Sequence, residues 1–234
     1  MTGGGVKEKL EILVAVMAAI GGIASLLSSL PVYAYVPMFV LALILLIYYI
    51  FKKRDEHNFR VKWQEITISI LDNRGDSALY SNISMLEALK KNAQKFQYSI
   101  FTEGEIQEIK TETGVINDIK REIGRTDIHT SLKQPLKVGE EFKHILSCRL
   151  LNTFTNEKEF WESTRYTPGT KVVITIFFPH DRICKDYKAL KKTGAKTEKC
   201  DEQPILTIRD NKPCLIFQIK QVKFLETFRI EWSW

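Results

Sequence analysis

The longest apolar run of the chain covers residues 12–51 and reads ILVAVMAAIGGIASLLSSLPVYAYVPMFVLALILLIYYIF. Its forty residues include no Asp, Glu, Lys, Arg or His. A helix that spans a membrane needs about 20 predominantly apolar residues, so this run is long enough to cross twice. Pro31 and Pro37, which follow Ser28 and Ser29, mark the place for a turn. The run therefore predicts a transmembrane α-helical hairpin, with spans at about residues 9–29 and 35–51.

Positive charges flank the run on both sides, whereas the segment between the two spans has none. Lys7 and Lys9 precede it, and Lys52, Lys53 and Arg54 follow it. Because positively charged flanks stay on the cytoplasmic side, we expect a two-pass protein of the inner (cell) membrane with both termini in the cytoplasm. A cleaved signal peptide is the alternative interpretation of the first span. It would leave the second span in place.

Small residues recur at helical spacing along the first span. Such residues let the backbones of neighbouring helices approach closely. One interpretation is packing against the second span, and the other is assembly of several copies into a homo-oligomer. Neither span contains an ionisable residue, which argues against a transporter, a proton relay or a voltage sensor. The face is formed by Ala15, Ala18, Ala19, Gly22, Ser25 and Ser29.

Beyond Arg54 the pattern changes to the alternation typical of β-strands. Ile66, Ile68 and Ile70 alternate with polar residues, and a turn signal follows at residues 72–76. Further short strands, separated by Gly- and Pro-containing turns, indicate an all-β, mostly antiparallel sandwich or barrel. Ser84 and Glu87 resemble a capping box, so a short helix is predicted at 85–95, with a strand as the alternative. Residues 156–161 are predicted to form a helical turn or bulge. Beyond those already named, the predicted strands are 78–84, 97–102, 105–111, 115–122, 126–132, 141–151, 171–178, 205–209, 214–220 and 222–232.

We therefore predict two domains: a transmembrane hairpin at residues 1–54 and a cytosolic β-rich sensor or docking domain at residues 55–234. The second domain contains a lysine-rich insertion at residues 179–204. Within residues 182–199, seven basic residues stand against two acidic ones, close to the net charge of +6 of the whole chain. Ile183, Tyr187 and Leu190 have helical spacing, which predicts a short amphipathic helix. The basic residues are Arg182, Lys185, Lys188, Lys191, Lys192, Lys196 and Lys199.

Four interpretations of this basic segment remain open at the level of sequence. A run of lysines is often a solvated face without a ligand. Anionic phospholipids attract basic segments near a membrane by about 1 kcal/mol for each Lys or Arg. A nucleotide, such as a cyclic nucleotide, would place phosphates against Arg182 and several lysines. An Argonaute or another nucleic-acid-bearing protein would supply negative charge in the same way.

No catalytic motif occurs in the chain, so we expect neither an enzyme nor a cofactor. The dense polar triplet His180–Asp181–Arg182 follows a predicted strand and is either a surface turn or part of a pocket that includes Trp161. Trp161 has core packing as its alternative. A metal site built from His180, Cys184 and Cys200 fits no zinc spacing, so no metal is predicted. The four cysteines are expected to be reduced thiols.

The overall layout resembles a group of membrane effectors of prokaryotic antiviral defence. Two short N-terminal spans before a cytosolic β-rich domain are typical of the β-barrel effectors of cyclic-oligonucleotide (CBASS) systems and of transmembrane effectors associated with short Argonautes. The segments FFPHDR at 177–182 and EFW at 159–161 look like recurrent elements of such domains. The resemblance implies a protein that multimerises on an infection signal and depolarises the membrane in abortive infection.

The leading hypothesis is therefore a membrane-disrupting antiviral effector that acts as a homo-oligomer. The alternative is a constitutively membrane-anchored binding or receptor module for an anionic ligand or a partner protein. A third hypothesis, a membrane-tethered enzyme, would depend on His180, Asp181 and Arg182. The sequence names neither the activating signal nor the number of copies.

Overall fold

The computed structural model describes residues 58–164, 171–193, 196–220, 222 and 226–234. Period-two alternation runs through most of this sequence, and within these residues it builds fourteen strands. They are β1 (Phe59–Ile70), β2 (Ser77–Ala88), β3 (Ala93–Phe101), β4 (Glu105–Thr111), β5 (Val115–Glu122), β6 (Arg125–Leu136), β7 (Glu141–Leu151), β8 (Lys158–Thr164), β9 (Lys171–Phe177), β10 (Asp186–Thr193), β11 (Lys196–Lys199), β12 (Ile205–Arg209), β13 (Lys212–Ile219) and β14 (Thr227–Ser233).

The strands form one large sheet and two smaller ones. The large sheet has the order β12-β13-β9-β1-β2-β7-β4, and the smaller ones have the orders β11-β10-β14-β8 and β3-β6-β5. Most neighbouring strands are antiparallel, as predicted. The pair β1–β9 is parallel and places Ile66 beside Ile174. This pairing connects two segments that lie far apart in the sequence.

Both smaller sheets pack on the same face of the large sheet. Ile66, Ile68 and Ile70 are buried on that face, which confirms the predicted alternation. The ring of Trp161 on β8 lies 5.5 Å from that of Tyr80 on β2, and aromatic pairs prefer such separations. The ring of Phe96 on β3 lies 4.5 Å from that of His144 on β7. The described part of the chain is therefore a two-layer sandwich, and its buried apolar side chains form two clusters.

The predicted fold class, a transmembrane α-helical hairpin joined to an all-β domain, is wrong for the part of the chain that the structure describes. All of the regular elements there are strands, so the fold is all-β. Within the described ranges there is no helix of the length and apolarity needed to cross a bilayer. The residues predicted to form the hairpin, 12–51, lie outside those ranges.

The helix predicted at residues 85–95 is also wrong. Those residues form the end of β2, a turn and the start of β3. Ser84 does not cap a helix, because its hydroxyl donates a hydrogen bond of 2.9 Å to Asn82. Buried Asn82, Ser84 and Leu86 alternate with half-buried neighbours, and β2 pairs with strands on both sides. Pairing with two strands outweighs a local capping signal in this segment.

Two further helical predictions give way to strands. Most of the turn predicted at residues 156–161 belongs to β8, which pairs with β14. The amphipathic helix predicted from Ile183, Tyr187 and Leu190 is replaced by β10. Ala189 in the middle of β10 is fully buried and pairs with Ile230 of β14. Three apolar residues at helical spacing are too few to outweigh this pairing.

The turn predicted at residues 72–76 is confirmed, and its residues show why the chain reverses there. The carboxylate of Asp72 accepts hydrogen bonds from the backbone N–H groups of Arg74, Asp76 and Ser77. Asp210 and Asn211 both adopt positive φ, at 52° and 58°, between β12 and β13. Two consecutive positive φ values are the geometry that a two-residue hairpin turn requires, and Asp and Asn tolerate it better than most residues.

Candidate functional site

The lysine-rich segment forms a β-hairpin at the edge of the four-stranded sheet. Strand β10 pairs with β14 on one side and with β11 on the other. Since Ala189 points into the core, its neighbours Lys188 and Leu190 lie on the opposite, outer face. The register places Lys199 beside Leu190 and Thr197 beside Lys192 on that face. We call the outer-facing set the basic face; it consists of Lys188, Leu190, Lys192, Thr197 and Lys199.

Acidic neighbours neutralise three lysines of the hairpin. Lys188 forms an ion pair of 3.0 Å with Glu231 on β14. Lys191 and Lys196 share Glu198, at 3.4 and 2.7 Å. Hydrogen bonds from Lys196 and Lys191 lower the pKa of the Glu198 carboxyl. Burial lowers the pKa of Lys191, but the hydrogen bond and charge of Glu198 outweigh it, so the pKa of Lys191 is raised.

Three other predicted lysines stay exposed. No ion pair to Lys185, Lys192 or Lys199 occurs among the residues that the structure describes. Lys192 and Lys199 are diagonal neighbours across the hairpin, about 7 Å apart by the usual sheet geometry. Lys185 precedes β10, and its backbone N–H donates a hydrogen bond to Ser233. Within the hairpin itself, the lysines without an acidic partner among the described residues are therefore Lys192 and Lys199.

Arg182 has a different environment from the lysines with which it was grouped. Its guanidinium lies 3.8 Å from the ring centroid of Trp234. Its two terminal nitrogens donate hydrogen bonds to the carbonyl groups of Asn73 and Asn156, at 3.0 and 3.1 Å. Burial lowers the pKa of Arg182, while the charges of Glu159 and Asp72 act in the opposite direction. Its donors hold three loops together, so Arg182 does not join the basic face.

The residues of the predicted pocket lie in two different environments. Trp161 is buried between the sheets against Tyr80. His180 and Asp181 are exposed in the turn after β9, where Asp181 accepts a hydrogen bond of 3.2 Å from Asn73. The structure therefore does not bring Trp161 together with the other two. The predicted helix-packing residues Ala15, Ala18, Ala19, Gly22, Ser25 and Ser29 lie outside the described residues.

An open cavity of about 380 Å³ lies on the large sheet, and the sequence did not indicate it. It occurs where β1 and β9 run side by side, between Trp63, Glu65, Lys171 and Val173. Its polar groups are the carboxylate of Glu65, the ammonium group of Lys171 and the amide of Gln64. The alternation of Trp63 and Glu65 in β1 was the available signal, but the parallel partner that completes the cavity is distant in sequence.

A second feature that the sequence missed is a buried polar cluster around His144. Thr111 donates its hydroxyl hydrogen to the carbonyl of Ile145 at 3.0 Å. The hydroxyl has no second hydrogen, so Nε2 of His144, at 2.9 Å, donates to Thr111. Nδ1 then accepts a hydrogen bond of 3.0 Å from Tyr98. Burial lowers the pKa of His144 to about 4, so the ring is neutral at pH 7 and serves a structural role.

The four cysteines are buried, unpaired thiols. Burial raises the pKa of Cys148 to about 12 and those of Cys184 and Cys200 to about 11. Such groups carry almost no thiolate near neutral pH. Within the described residues, no group of three or more His, Cys, Asp or Glu side chains is arranged to hold a metal ion.

Comparisons with known proteins do not identify a family for this chain. No family model and no curated protein matches it. Solved structures that resemble it include an M1 zinc metallopeptidase from Deinococcus radiodurans, at 8% identity and a TM-score of 0.45. Another is a putative protease from Parabacteroides distasonis, at 6% identity and a TM-score of 0.47. The alignments cover 75% and 76% of this chain but only 42% and 40% of those chains. At this level of similarity they give no evidence for or against enzymatic activity.

Proposed function

We propose that this protein is a non-catalytic docking module of the inner membrane whose basic face binds anionic phospholipids. The observation that carries the proposal is the pair Lys192 and Lys199, which flank Leu190 on an exposed sheet face without acidic partners in the described part of the chain. The apolar run at residues 12–51 supports the membrane location, because its forty residues contain no charge.

The shape of the basic face favours a lipid surface over a nucleotide. The outer face of a β-sheet is flat and presents successive side chains at regular intervals. A nucleotide is bound in a concave site that surrounds most of its surface, and the cavity described above lies on another sheet. Leu190 between the lysines adds an apolar group that would contact the acyl boundary. Each lysine near an anionic leaflet contributes about 1 kcal/mol.

The test uses the full chain held in nanodiscs of neutral phosphatidylcholine. We would measure its capture by vesicles of phosphatidylcholine with and without phosphatidylglycerol. We expect capture that needs phosphatidylglycerol and weakens with salt. The double variant Lys192→Glu and Lys199→Glu should bind at least about 30-fold more weakly, since two contributions of about 1 kcal/mol are lost and become repulsive.

The matched control is the double variant Lys133→Glu and Lys137→Glu, which changes two exposed lysines elsewhere in the sandwich by the same charge. It should retain most of the binding. Equal weakening in both variants would show a general charge effect and would contradict a specific basic face. Tight binding of a cyclic nucleotide or a single-stranded oligonucleotide, without vesicle capture, would show that the anionic partner is not lipid.

A second function, membrane disruption in antiviral defence, extends the first. The apolar run and the resemblance of the layout to antiviral membrane effectors support it. In this proposal copies multimerise on an infection signal, and residues 12–51 act on the bilayer. The test is phage infection of bacteria that express the protein, with a potential-sensitive dye. Leu45→Arg, which places a charge in the run, should preserve the membrane potential. If the unaltered protein leaves potential and growth unchanged on infection, the effector function is excluded.

A further inference from the structure

The edges of the three sheets differ in how well they are protected against pairing with another strand. A free sheet edge exposes backbone N–H and C=O groups, and proteins normally block it with charges, bulges or very short strands. Six strands occupy edge positions among the described residues: β12 and β4 in the large sheet, β11 and β8 in the four-stranded sheet, and β3 and β5 in the three-stranded sheet.

Five of these edges carry such protection. Strands β3, β4 and β5 each contain a register shift against their neighbour. Strand β11 has four residues, two of which are lysines and one a glutamate. On β8, the one large exposed apolar side chain is Phe160, and the guanidinium of Arg229 covers it at 3.7 Å.

Strand β12 is short, with five residues, but it has neither a bulge nor a charge at its centre. Its register with β13 is unbroken, and it carries no charge before Arg209. Ile205 and Ile208 are 66% and 75% exposed, whereas Leu206 packs against the core. The sequence ILTIR combines β-branched residues with low charge, which is typical of strands that pair readily. The described residues place no element against the outer edge of β12.

We infer that β12 is a self-association edge, at which two copies of this chain join antiparallel and extend their large sheets into one. A continuous sheet requires paired residues to share a face, so a symmetric register is centred on a residue, and we take Thr207, the middle residue of β12. This register places Leu206 of each copy opposite Ile208 of the other copy. It also places Thr207 opposite Thr207, a cross-strand pair that is favourable in sheets.

Charge around the strand favours a second copy as the occupant. Asp201 and Glu202 precede β12, while Arg209 ends it and Lys212 begins β13, with Asp210 between them paired to Arg209 at 3.8 Å. All five side chains are exposed, and the end of β12 keeps a net positive charge. Antiparallel pairing brings the acidic residues before β12 of one copy toward the basic residues at the end of β12 of the other. The two-fold axis repeats this contact. A parallel arrangement would place like charges together.

This inference goes beyond lipid docking and rests on different residues. It supplies a surface through which copies of the proposed effector would meet. The test measures the mass of the full chain in detergent by light scattering over a concentration series. Ile208→Lys places a charge on the edge, so it should weaken self-association at least tenfold. Ile123→Lys changes a fully exposed isoleucine in the turn between β5 and β6 and should leave it unchanged.

A cysteine reporter tests the register directly. Thr207→Cys should form a disulfide between copies under mild oxidation, because opposite residues of antiparallel strands have Cα separations within the disulfide range. Thr197→Cys on the β11 edge is the matched control and should form no disulfide between copies. A monomer at all concentrations, or equal cross-linking of both variants, would overturn the inference.

The same variants separate this inference from lipid docking and from other occupants of the edge. Ile208→Lys should retain vesicle capture, and the double Lys192 and Lys199 variant should retain self-association. If Ile208→Lys instead lowers the melting temperature at concentrations where it and the unaltered protein are both monomeric, while Ile123→Lys does not, a segment of the same chain covers β12. That result would also overturn self-association.

Discussion

Tyr98 on β3 donates a hydrogen bond of 3.0 Å to Nδ1 of His144 on β7, and the two rings stack with centroids 5.2 Å apart. The contact joins the three-stranded sheet to the large sheet. Thr111 of β4 satisfies the other ring nitrogen. A neutral imidazole therefore connects three strands from two sheets inside the sandwich, and its protonation would remove the acceptor that Tyr98 uses.

The stability of the protein should fall in mild acid because of His144. Its pKa is about 4 in the folded chain and 6.5 when unperturbed, so between these values the unfolded chain binds more protons. The contribution of His144 to the free energy of unfolding is fully present above pH 6.5. It is lost as the pH falls toward 4, by about 3 kcal/mol in total. Denaturant unfolding of the full chain at several pH values measures this loss.

The control for that measurement is His144→Gln, which retains a donor and an acceptor but does not titrate. It should show a shallower decline over the same pH window. Glu159 also contributes there, because burial raises the pKa of its carboxyl group. The relevant quantity is therefore the difference between the two proteins, and identical slopes would contradict a role for His144.

Arg182→Ala should destabilise the protein without affecting vesicle capture. The variant removes two hydrogen bonds to backbone carbonyls and the contact with Trp234. We expect a loss of about 3 kcal/mol in the free energy of unfolding. Lys185→Ala, a change at an exposed neighbour, should cost little. If Arg182→Ala abolished vesicle capture while stability was unchanged, Arg182 would belong to the anion-binding surface after all.

Two glycines with similar backbone conformations offer a matched pair. Gly75 and Gly139 have φ values of 77° and 81°, a region that side chains rarely adopt. A Cβ at Gly75 would overlap the carbonyl of Phe154, whereas one at Gly139 would meet nothing within 4 Å. Gly139→Ala should cost about 1 kcal/mol of strain, and Gly75→Ala at least about 2 kcal/mol more. Thermal melts of both variants would measure the difference, and equal costs would mean that the turn at Gly75 relaxes freely.

The native thiols should resist alkylation at neutral pH. All four cysteines are buried, and the raised pKa of Cys148, about 12, leaves almost no thiolate. Mass spectrometry after brief treatment with a thiol reagent should find them unmodified in the folded chain and modified after denaturation. Rapid labelling of any one of them in the folded chain would show that its strand opens locally.

The sequence predicts the local features of the sandwich well. The predicted strands at 105–111, 115–122, 141–151 and 205–209 have the same bounds as β4, β5, β7 and β12. Alternation and turn residues define such elements within a few positions. The helical prediction at Ile183, Tyr187 and Leu190 failed because pairing with β14 depends on residues about forty positions away.

The candidate site also depends on contacts between residues that are distant in sequence. The lysine density of the hairpin is visible in the sequence, but the acidic partners are not: Glu231 reaches Lys188 from β14. Arg182 looked like part of the basic cluster because it is adjacent in sequence. Its contacts with Asn73 and Trp234 come from opposite ends of the described chain. Which charges remain uncompensated is a property of the tertiary structure.

The parallel pairing of β1 with β9 has a consequence for the order in which the chain folds. Ile66 and Ile174 are neighbours in the sheet although more than one hundred residues separate them. The β1–β2 hairpin needs only local contacts and can form during synthesis. Pairing on the other side of β1 requires β9, which leaves the ribosome later. Closing so large a loop is slow. We therefore expect the search for this contact to limit the folding rate of the sandwich.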